Sequence, residues 1–430
     1  DGVIRMRFFR LRERQLTRRG FCLTTAGLAV GLATKFSSGT APPAGAAQAS
    51  KPDSPSAGKA SSSSAWPSFR NGNQLRGIAT SNLPDSLQLL WKVSVQDGVT
   101  ATAAIVGDFV YAGTFGGELI CFERQTGKRV WTYFSAARKK PGDFIPGFQS
   151  SPSVHSSTIL IGDEDGILHA VDRKTGLAKW KLTTNAEIIA SAAVIGDRAI
   201  VGSYDYTLYC VDIESGKTVW KFDTADRING SPAIAGNLTF VTGCDQHLRA
   251  INIETGKEEF DMNLERFLIA SPAVMGQMLY VGTHESEVLA IDLTTQEVLW
   301  RYDNSKGELP YHSSAAVTDN RVIIGCQDKQ LHCLDRKTGV RQWAFLSRGQ
   351  INSSPVVVGN SRVFVGSNDG HIYEIDLTNG RQRWKMKLGR SVTASPAVGE
   401  GVLVIGAEGT EGEIYCFGQK QATGKSAAED

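Results

Sequence analysis

The chain has 430 residues, 41% of them hydrophobic and 21% charged, with 46 Lys and Arg against 44 Asp and Glu. That length and composition suit a large buried core, and no apolar run approaches the roughly 20 residues of a membrane-spanning helix. Residues 1–47 hold eight of the basic residues and two of the acidic ones, leaving 38 against 42 and a net charge of −4, which excludes a nucleic-acid footprint.

In chain order, Arg5, Arg7, Arg10, Arg12, Arg14, Arg18 and Arg19 precede a short apolar stretch at 23–33, and Ala44-Gly45-Ala46 supplies small residues suited to a signal-peptidase cut. The run Thr17-Arg18-Arg19-Gly20-Phe21-Cys22-Leu23 is similar to the twin-arginine export signal, whose pathway moves proteins already folded. Cys22 does not fit a lipid-anchoring pattern, because the apolar stretch follows it. Residues 1–47 are therefore expected to be an export signal. Residues 48–65, rich in Ser, Ala and Pro, are expected to be a disordered linker.

From 66 to 418 a pattern recurs. Trp91, Trp131, Trp180, Trp220, Trp300, Trp343 and Trp384 stand at steps of 40, 49, 40, 40, 40, 43 and 41 once Phe260 fills the gap after Trp220. A period near 40 marks a propeller or a solenoid. Within one period, 221–260, the segments GSPAIAG, LTFVTG, HLRAINI and KEEF are four strand-like runs separated by turn residues, with no helical period. The fold class is therefore all-β, an eight-bladed β-propeller of four-stranded antiparallel blades.

First strands are expected to start at Thr102, Ser151, Ser191, Ser231, Ser271, Ser314, Ser354 and Ser395, where small side chains let blades converge on the axis. Pro152, Pro232, Pro272, Pro355 and Pro396 cannot donate to a ladder and suit an innermost strand with one unpaired edge. The turn after the third strand reads Asp-x-x-Thr/Ser-Gly, as at Asp172, Thr175 and Gly176 or Asp212, Ser215 and Gly216. Its Gly supplies a positive φ and its Asp bonds the turn's own backbone. Gln296 replaces that Gly in one unit, so this turn is expected to be strained or differently shaped. Each following tryptophan is expected to lie flat between neighbouring blades. The last unit lacks a fourth strand and Trp91 precedes every first strand, so residues 87–93 are expected to complete the last blade and close the ring. Residues 419–430 are left as a disordered tail.

Cys121, Cys210, Cys333 and Cys416 fall in the slot that is Ala170, Ala250 or Ala290 elsewhere, which predicts small buried residues and free thiols. A two-residue turn at Asp328-Lys329 would set Ile324, not Cys326, opposite Cys333. Asp163, Glu164 and Asp165 lack EF-hand spacing and coincide with a hairpin turn. His169 and His332 share one third-strand column and show no metal-ligand companion at useful spacing. Ser231, Ser271 and Ser395 repeat with the blade, which marks them as structural, and the sequence holds neither a phosphate loop nor a nucleophile elbow. No catalytic, cofactor-binding or metal-ligating residue is expected.

Departures from the repeat mark candidate binding loops. SAARKKPGDFIPGFQS lengthens one unit by nine residues and sets Arg138, Lys139 and Lys140 beside Phe144 and Phe148, while DNSKGELPYHSS adds Tyr311 and His312. Both join a fourth strand to the next first strand. Both are therefore expected on one face, beside the channel mouth.

The pattern at Asp212, Ser215, Gly216, Lys217 and Trp220 resembles the repeat of the PQQ-like propellers, a group that includes quinoprotein alcohol dehydrogenases and BamB-like outer-membrane assembly factors. WPSFRNGNQLRGI, 66–78, followed by LLWKV, is similar to the opening of the BamB-like branch, and the likeness covers about residues 66–418. For the dehydrogenase branch the resemblance implies PQQ, calcium and two adjacent cysteines. This sequence has no Cys-Cys pair and little room for the inserted loops that carry such a site, so no cofactor is expected. For the BamB-like branch it implies a non-catalytic periplasmic scaffold that meets a protein partner, a β-barrel insertion complex, through loops on one face. Leu346-Ser347-Arg348-Gly349 is similar to a docking loop of that branch, which adds Arg348 as a candidate. The expectation is an exported, monomeric, protein-binding propeller, with a PQQ-dependent dehydrogenase or a soluble carbohydrate or peptide binder as the alternatives.

Overall fold

A computed structural model of the protein describes residues 64–137, 145–304 and 309–420. The expected signal, most of the expected linker and residues 421–430 lie outside these ranges. Among the described residues there is no helix, and the strands form eight sheets that correspond to eight blades. One blade shows the build. Ala193–Ile195, Arg198–Gly202, Thr207–Asp212 and Thr218–Asp223 pair in that order, antiparallel throughout. The middle strands are buried almost throughout because neighbouring blades cover both faces, whereas the fourth strand alternates half-buried and exposed at the rim.

The ring closes as the repeat count requires. Gln88–Gln96 pairs antiparallel with Glu411–Gly418, placing Trp91 opposite Cys416 and completing the eighth blade with the start of the propeller. Tryptophans hold the junctions. Trp91, Trp131, Trp180, Trp220, Trp300 and Trp343 each donate their indole N–H to a carbonyl of the next blade at 2.8–3.3 Å, next to that blade's third turn. Trp384 instead meets Phe417 edge to face at 5.7 Å. Phe260 has no N–H to offer. It faces the blade whose turn carries Gln296, and that turn keeps the common shape, with Gln296 N–H on Asp292 O at 2.8 Å and φ at +58°. The strained alternative therefore holds, and a different turn shape does not.

The register of one hairpin departs from expectation. Ile323, not Ile324, lies opposite Cys333. The loop has three residues, Gln327 to Lys329, where two were expected: Cys326 N–H donates to Gln330 O at 3.0 Å, and Lys329 takes the left-handed conformation at φ +72°. One extra residue shifts the pairing by one. Cys326 and Cys333 stay unbridged, and all six described cysteines are free.

The segment 64–79 has a role that the repeat did not disclose. It runs around the inner ends of the first strands and bonds to every blade in turn. Ser64 O accepts from Glu400, Trp66 exchanges two bonds with Ile105, and Pro67 O accepts from Val154. Asn73 Nδ2 donates to Val194 O, and the carbonyls of Asn73, Gln74, Arg76 and Gly77 accept from Ile234, Val274, Val317 and Val357. Ile78–Ala79 then adds a short parallel strand to the seventh blade. Arg70 leaves the chain between its contacts to the second and third blades, yet its guanidinium donates to Ala315 O and Pro355 O of the sixth and seventh, both at 2.7 Å. The side chain therefore crosses the axis. It is wholly buried, so the channel is plugged at this level.

Candidate functional site

The antiparallel order puts the second-to-third turns and the fourth-to-first connections on one face, opposite the plug. Each turn there offers one side chain to the axis: Phe115, Glu164, Tyr204, Cys244, His284, Gln327, Asn368 and Glu408. The backbone N–H of each is held by the incoming connection, as Tyr204 is by Glu187 O (2.9 Å) and Gln327 by Pro310 O (3.2 Å). These eight residues interdigitate with the residues two positions before each first strand's serine. Gln149 Nε2 donates to Glu164 Oε1 (2.8 Å), Tyr204 Oη to Asn229 Oδ1, Asn229 Nδ2 to Cys244 Sγ (2.7 Å), and Gln327 Nε2 bonds both His312 Nδ1 (3.1 Å) and Asn352 Oδ1 (3.3 Å). The result is a half-buried polar collar around the channel mouth.

A ring of hydroxyls lies beneath it. The backbone N–H of Thr102 donates to Ser151 Oγ, that of Ser151 to Ser191 Oγ, and so on through Ser231, Ser271, Ser314 and Ser354 to Ser395, at 2.8–3.1 Å. Seven of the eight blade junctions are thus bridged at the axis, and these serines are structural, as their periodicity required. The five prolines each stand one residue before a first strand and leave its ladder intact. On the opposite face a cleft of about 330 Å³ opens between the first two blades beside Phe109, Tyr111, Trp131 and Arg173. The Trp131 indole bond there is the longest of the six, at 3.3 Å.

The candidate residues fall in different places. Arg138, Lys139, Lys140 and Phe144 lie outside the described residues. Phe148 and Tyr311 are not surface groups: both are buried, Phe148 edge-on to His169 at 5.4 Å and Tyr311 edge-on to His332 at 5.8 Å, because each packs the junction ahead of its first strand. His312 lines the collar, its ring 6.2 Å from that of His284. Arg348 is exposed on the mouth face, with its backbone N–H held by Asp369 Oδ2 at 2.9 Å.

The histidines do more than fill a column. His169 is wholly buried between Tyr133 Oη at Nδ1 and Asp163 Oδ2 at Nε2, both at 2.8 Å, and burial lowers its pKa against the opposing pull of Asp163. His332 has Tyr302 Oη at Nδ1 (3.2 Å) and Asp328 Oδ2 at Nε2 (3.0 Å). Burial alone would raise the Asp328 carboxyl, but the bond and charge of His332, with the Gln330 and Asn304 bonds, bring it below its usual range. Cys326 completes a group in which thiol, carboxylate and imidazole atoms all lie within 4.8 Å of one another, and burial pushes its thiol up to about 12. Spacing could have flagged Asp328, in the turn four residues before His332. The contribution of Cys326 depends on the loop length that sequence reading set one residue short.

A family model described as outer membrane protein assembly factor BamB matches residues 83–203, 164–266 and 205–427, most of the chain. The chain belongs to this BamB family. Among curated proteins it is 23% identical to BamB of Shewanella oneidensis over 129 residues, 23% of this chain and 33% of that one. It is 29% identical to quinohemoprotein alcohol dehydrogenase ADH IIB of Pseudomonas putida over 107 residues, 24% of this chain and 15% of the relative. The aligned stretches thus span a third or less of these relatives. Among solved structures, BamB from Moraxella catarrhalis superposes with a TM-score of 0.63 at 21% identity, over 79% of this chain and all of that one. Quinohemoprotein alcohol dehydrogenase from Comamonas testosteroni gives 0.69 at 14% identity over 85% and 82%. At these identities the structural likeness speaks for the propeller alone.

Proposed function

We propose that this BamB-family propeller is an exported, non-catalytic scaffold of the cell envelope that binds a protein partner of the β-barrel insertion machinery through its mouth face. The observation that carries this reading is the asymmetry of the two faces. One is spanned by the 64–79 segment tied to all eight blades, and the other gathers the fourth-to-first connections, including exposed Arg348 on a backbone pinned by Asp369. A rigid scaffold presenting the exposed Arg348 side chain suits docking, since little backbone freedom is lost on binding. The expected signal at 1–47 supports an envelope location.

The dehydrogenase alternative meets a poor fit. Cys244 is the thiol that faces the collar, it accepts from Asn229 Nδ2, and its sequence neighbours are Gly243 and Asp245, so no adjacent-cysteine ring can form there. The test is recovery of the tagged protein from crosslinked envelopes with partners identified by mass spectrometry, comparing the natural sequence with Arg348→Glu. Recovery of barrel-insertion components that falls at least tenfold in the variant supports the reading. Their absence from the natural sample overturns it, and a spectral change on adding PQQ with calcium would move the assignment to the dehydrogenase branch.

A further inference from the structure

Across the blades, the residue that follows the second strand is Thr114, Ser203, Thr283 or Ser367 in four of them, a hydroxyl that serves the turn. In the sixth blade it is Cys326, and only there among the described residues do three such ligand types converge. We infer that Cys326 Sγ, Asp328 Oδ2 and His332 Nε2 form a binding site for a single thiophilic divalent transition-metal ion, of which Zn2+ is the first choice.

Geometry and surroundings support it. His332 Nε2 and Asp328 Oδ2 are 3.0 Å apart, close to the roughly 3.3 Å separation of two ligands at tetrahedral zinc, and Cys326 Sγ lies within 4.8 Å of both. The supporting groups are in place. His332 Nδ1 meets Tyr302 Oη at 3.2 Å, which fixes the ring so that Nε2 faces the ion. Asp328 is oriented by Asn304 Nδ2 at 2.7 Å, by Gln330 Nε2 at 2.8 Å and by the Gln330 backbone N–H at 2.8 Å. Cys326 and His332 are wholly buried, and Asp328 reaches the surface with 13% of its side chain, which provides an approach.

A second observation points the same way. The Tyr311 hydroxyl is buried against this group, edge-on to His332 and beside the Cys326 thiol, and no group among the described residues meets it with hydrogen-bond geometry. An unpaired buried hydroxyl is destabilising, and a water held on the ion's open fourth position would satisfy it. The second blade is the internal contrast. There Asp163 stands where Cys326 does and bonds His169 directly, giving a Tyr–His–Asp brace without a soft ligand.

Binding exchanges the thiol proton for the ion: Zn2+ joins the thiolate, carboxylate and neutral imidazole, and one H+ is released with no change of oxidation state. The experiment titrates metal-free, reduced full-length protein with Co2+, then with Zn2+ as competitor. The expected result is one Co2+ per chain with a thiolate-to-cobalt charge-transfer band, displaced by Zn2+. Cys326→Ser, which restores the hydroxyl found in other blades and should fold normally, removes the band and weakens Zn2+ binding at least a hundredfold. Asp328→Asn gives a second, thiol-retaining variant with weakened binding. Cys244→Ser leaves both signals intact. No band in the natural protein, or a band that survives Cys326→Ser, overturns the site.

Discussion

A Cβ placed on Gly216 would lie 2.5 Å from Cδ2 of Trp180, so the third turn of one blade and the indole of the preceding blade share one surface. Gly216 also sits at φ +71°, which an L side chain tolerates poorly. Gly216→Ala should therefore cost both backbone strain and a displaced indole, together about 2–4 kcal/mol. Gly196 has a similar φ of +58° and nothing within 4 Å of its would-be Cβ, so Gly196→Ala should cost only the strain, about 1 kcal/mol. Urea midpoints of the two variants separate packing from conformation; equal losses would sink the stacking argument.

The one junction without tryptophan tests the same contact from the other side. Phe260 faces the turn where Gln296 keeps φ +58° with a full side chain in place of glycine. Phe260→Trp alone should destabilise by about 1–3 kcal/mol through overpacking. Gln296→Gly alone should gain up to about 1 kcal/mol by relieving the strain. The double variant should be more stable than the two single effects sum to, by about 1 kcal/mol or more in a double-mutant cycle. Additive behaviour would mean that the smaller ring and the missing glycine are unrelated.

These junctions show what the sequence made legible. The period, the blade count, the closing strand and the flat tryptophans all follow from residue types that recur, and recurrence averages out local accidents. What failed to show was non-recurrent or set by one residue of loop length. Phe148 and Tyr311 read as loop aromatics because they sit in irregular segments, yet each is swallowed by the blade junction that its loop leads into. The plug was invisible because 66–79 has no strand period of its own; its partners are backbone N–H groups on the inner edges of the first strands, such as those of Val154, Ile234 and Val274. The Cys326 group escaped notice because hairpin register, not sequence spacing, brings its thiol in.

The axial hydroxyl ring carries its own prediction. Ser231 Oγ accepts the backbone N–H of Ser191 at 2.9 Å, and Ser231 N–H donates to Ser271 Oγ at 2.8 Å. Ser231→Ala leaves one buried amide unpaired and should cost about 1–3 kcal/mol, while the neighbouring link through Ser271 persists. Ser231→Thr, which keeps a hydroxyl acceptor at this position, should recover most of the loss. Thermal unfolding of the pair reads this directly, and equal melting temperatures for Ala and Thr would remove the hydrogen bond as the cause.

The third turns also set a pH dependence. Asp335 is held below the usual carboxylate range by the Thr338 backbone N–H and hydroxyl, and then by the Lys337 N–H. Asp172 and Asp212 are lowered in the same way, chiefly by the hydroxyls of Thr175 and Ser215. A carboxylate with a lowered folded pKa contributes stability that is fully present above its unfolded value near 4 and is lost as pH falls through the folded value. Urea midpoints should be flat from about pH 7 to 5 and drop below about pH 4. Thr338→Val should make that drop shallower; an unchanged acid limb would exclude the turn.

Arg70 decides whether the 64–79 segment is a fixed plug or a passive passenger. Its guanidinium spans the axis to Ala315 O and Pro355 O, two charge-assisted bonds made without solvent, while its Nε finds no acceptor among the described residues. Arg70→Met keeps the volume and strands both carbonyls, at a cost of about 2–5 kcal/mol. Part of that loss should appear locally, because the segment's remaining ties to the fourth and fifth blades are single backbone bonds from Ile234 and Val274, and its tie to the seventh is the Val357 bond with the two-residue Ile78–Ala79 pairing. Hydrogen exchange at those three amides should therefore accelerate in Arg70→Met by more than at Ile200 or Ile323, which sit in second strands. A uniform acceleration would mean that the arginine only adds to global stability, and the plug would lose its standing as a unit that can open by itself.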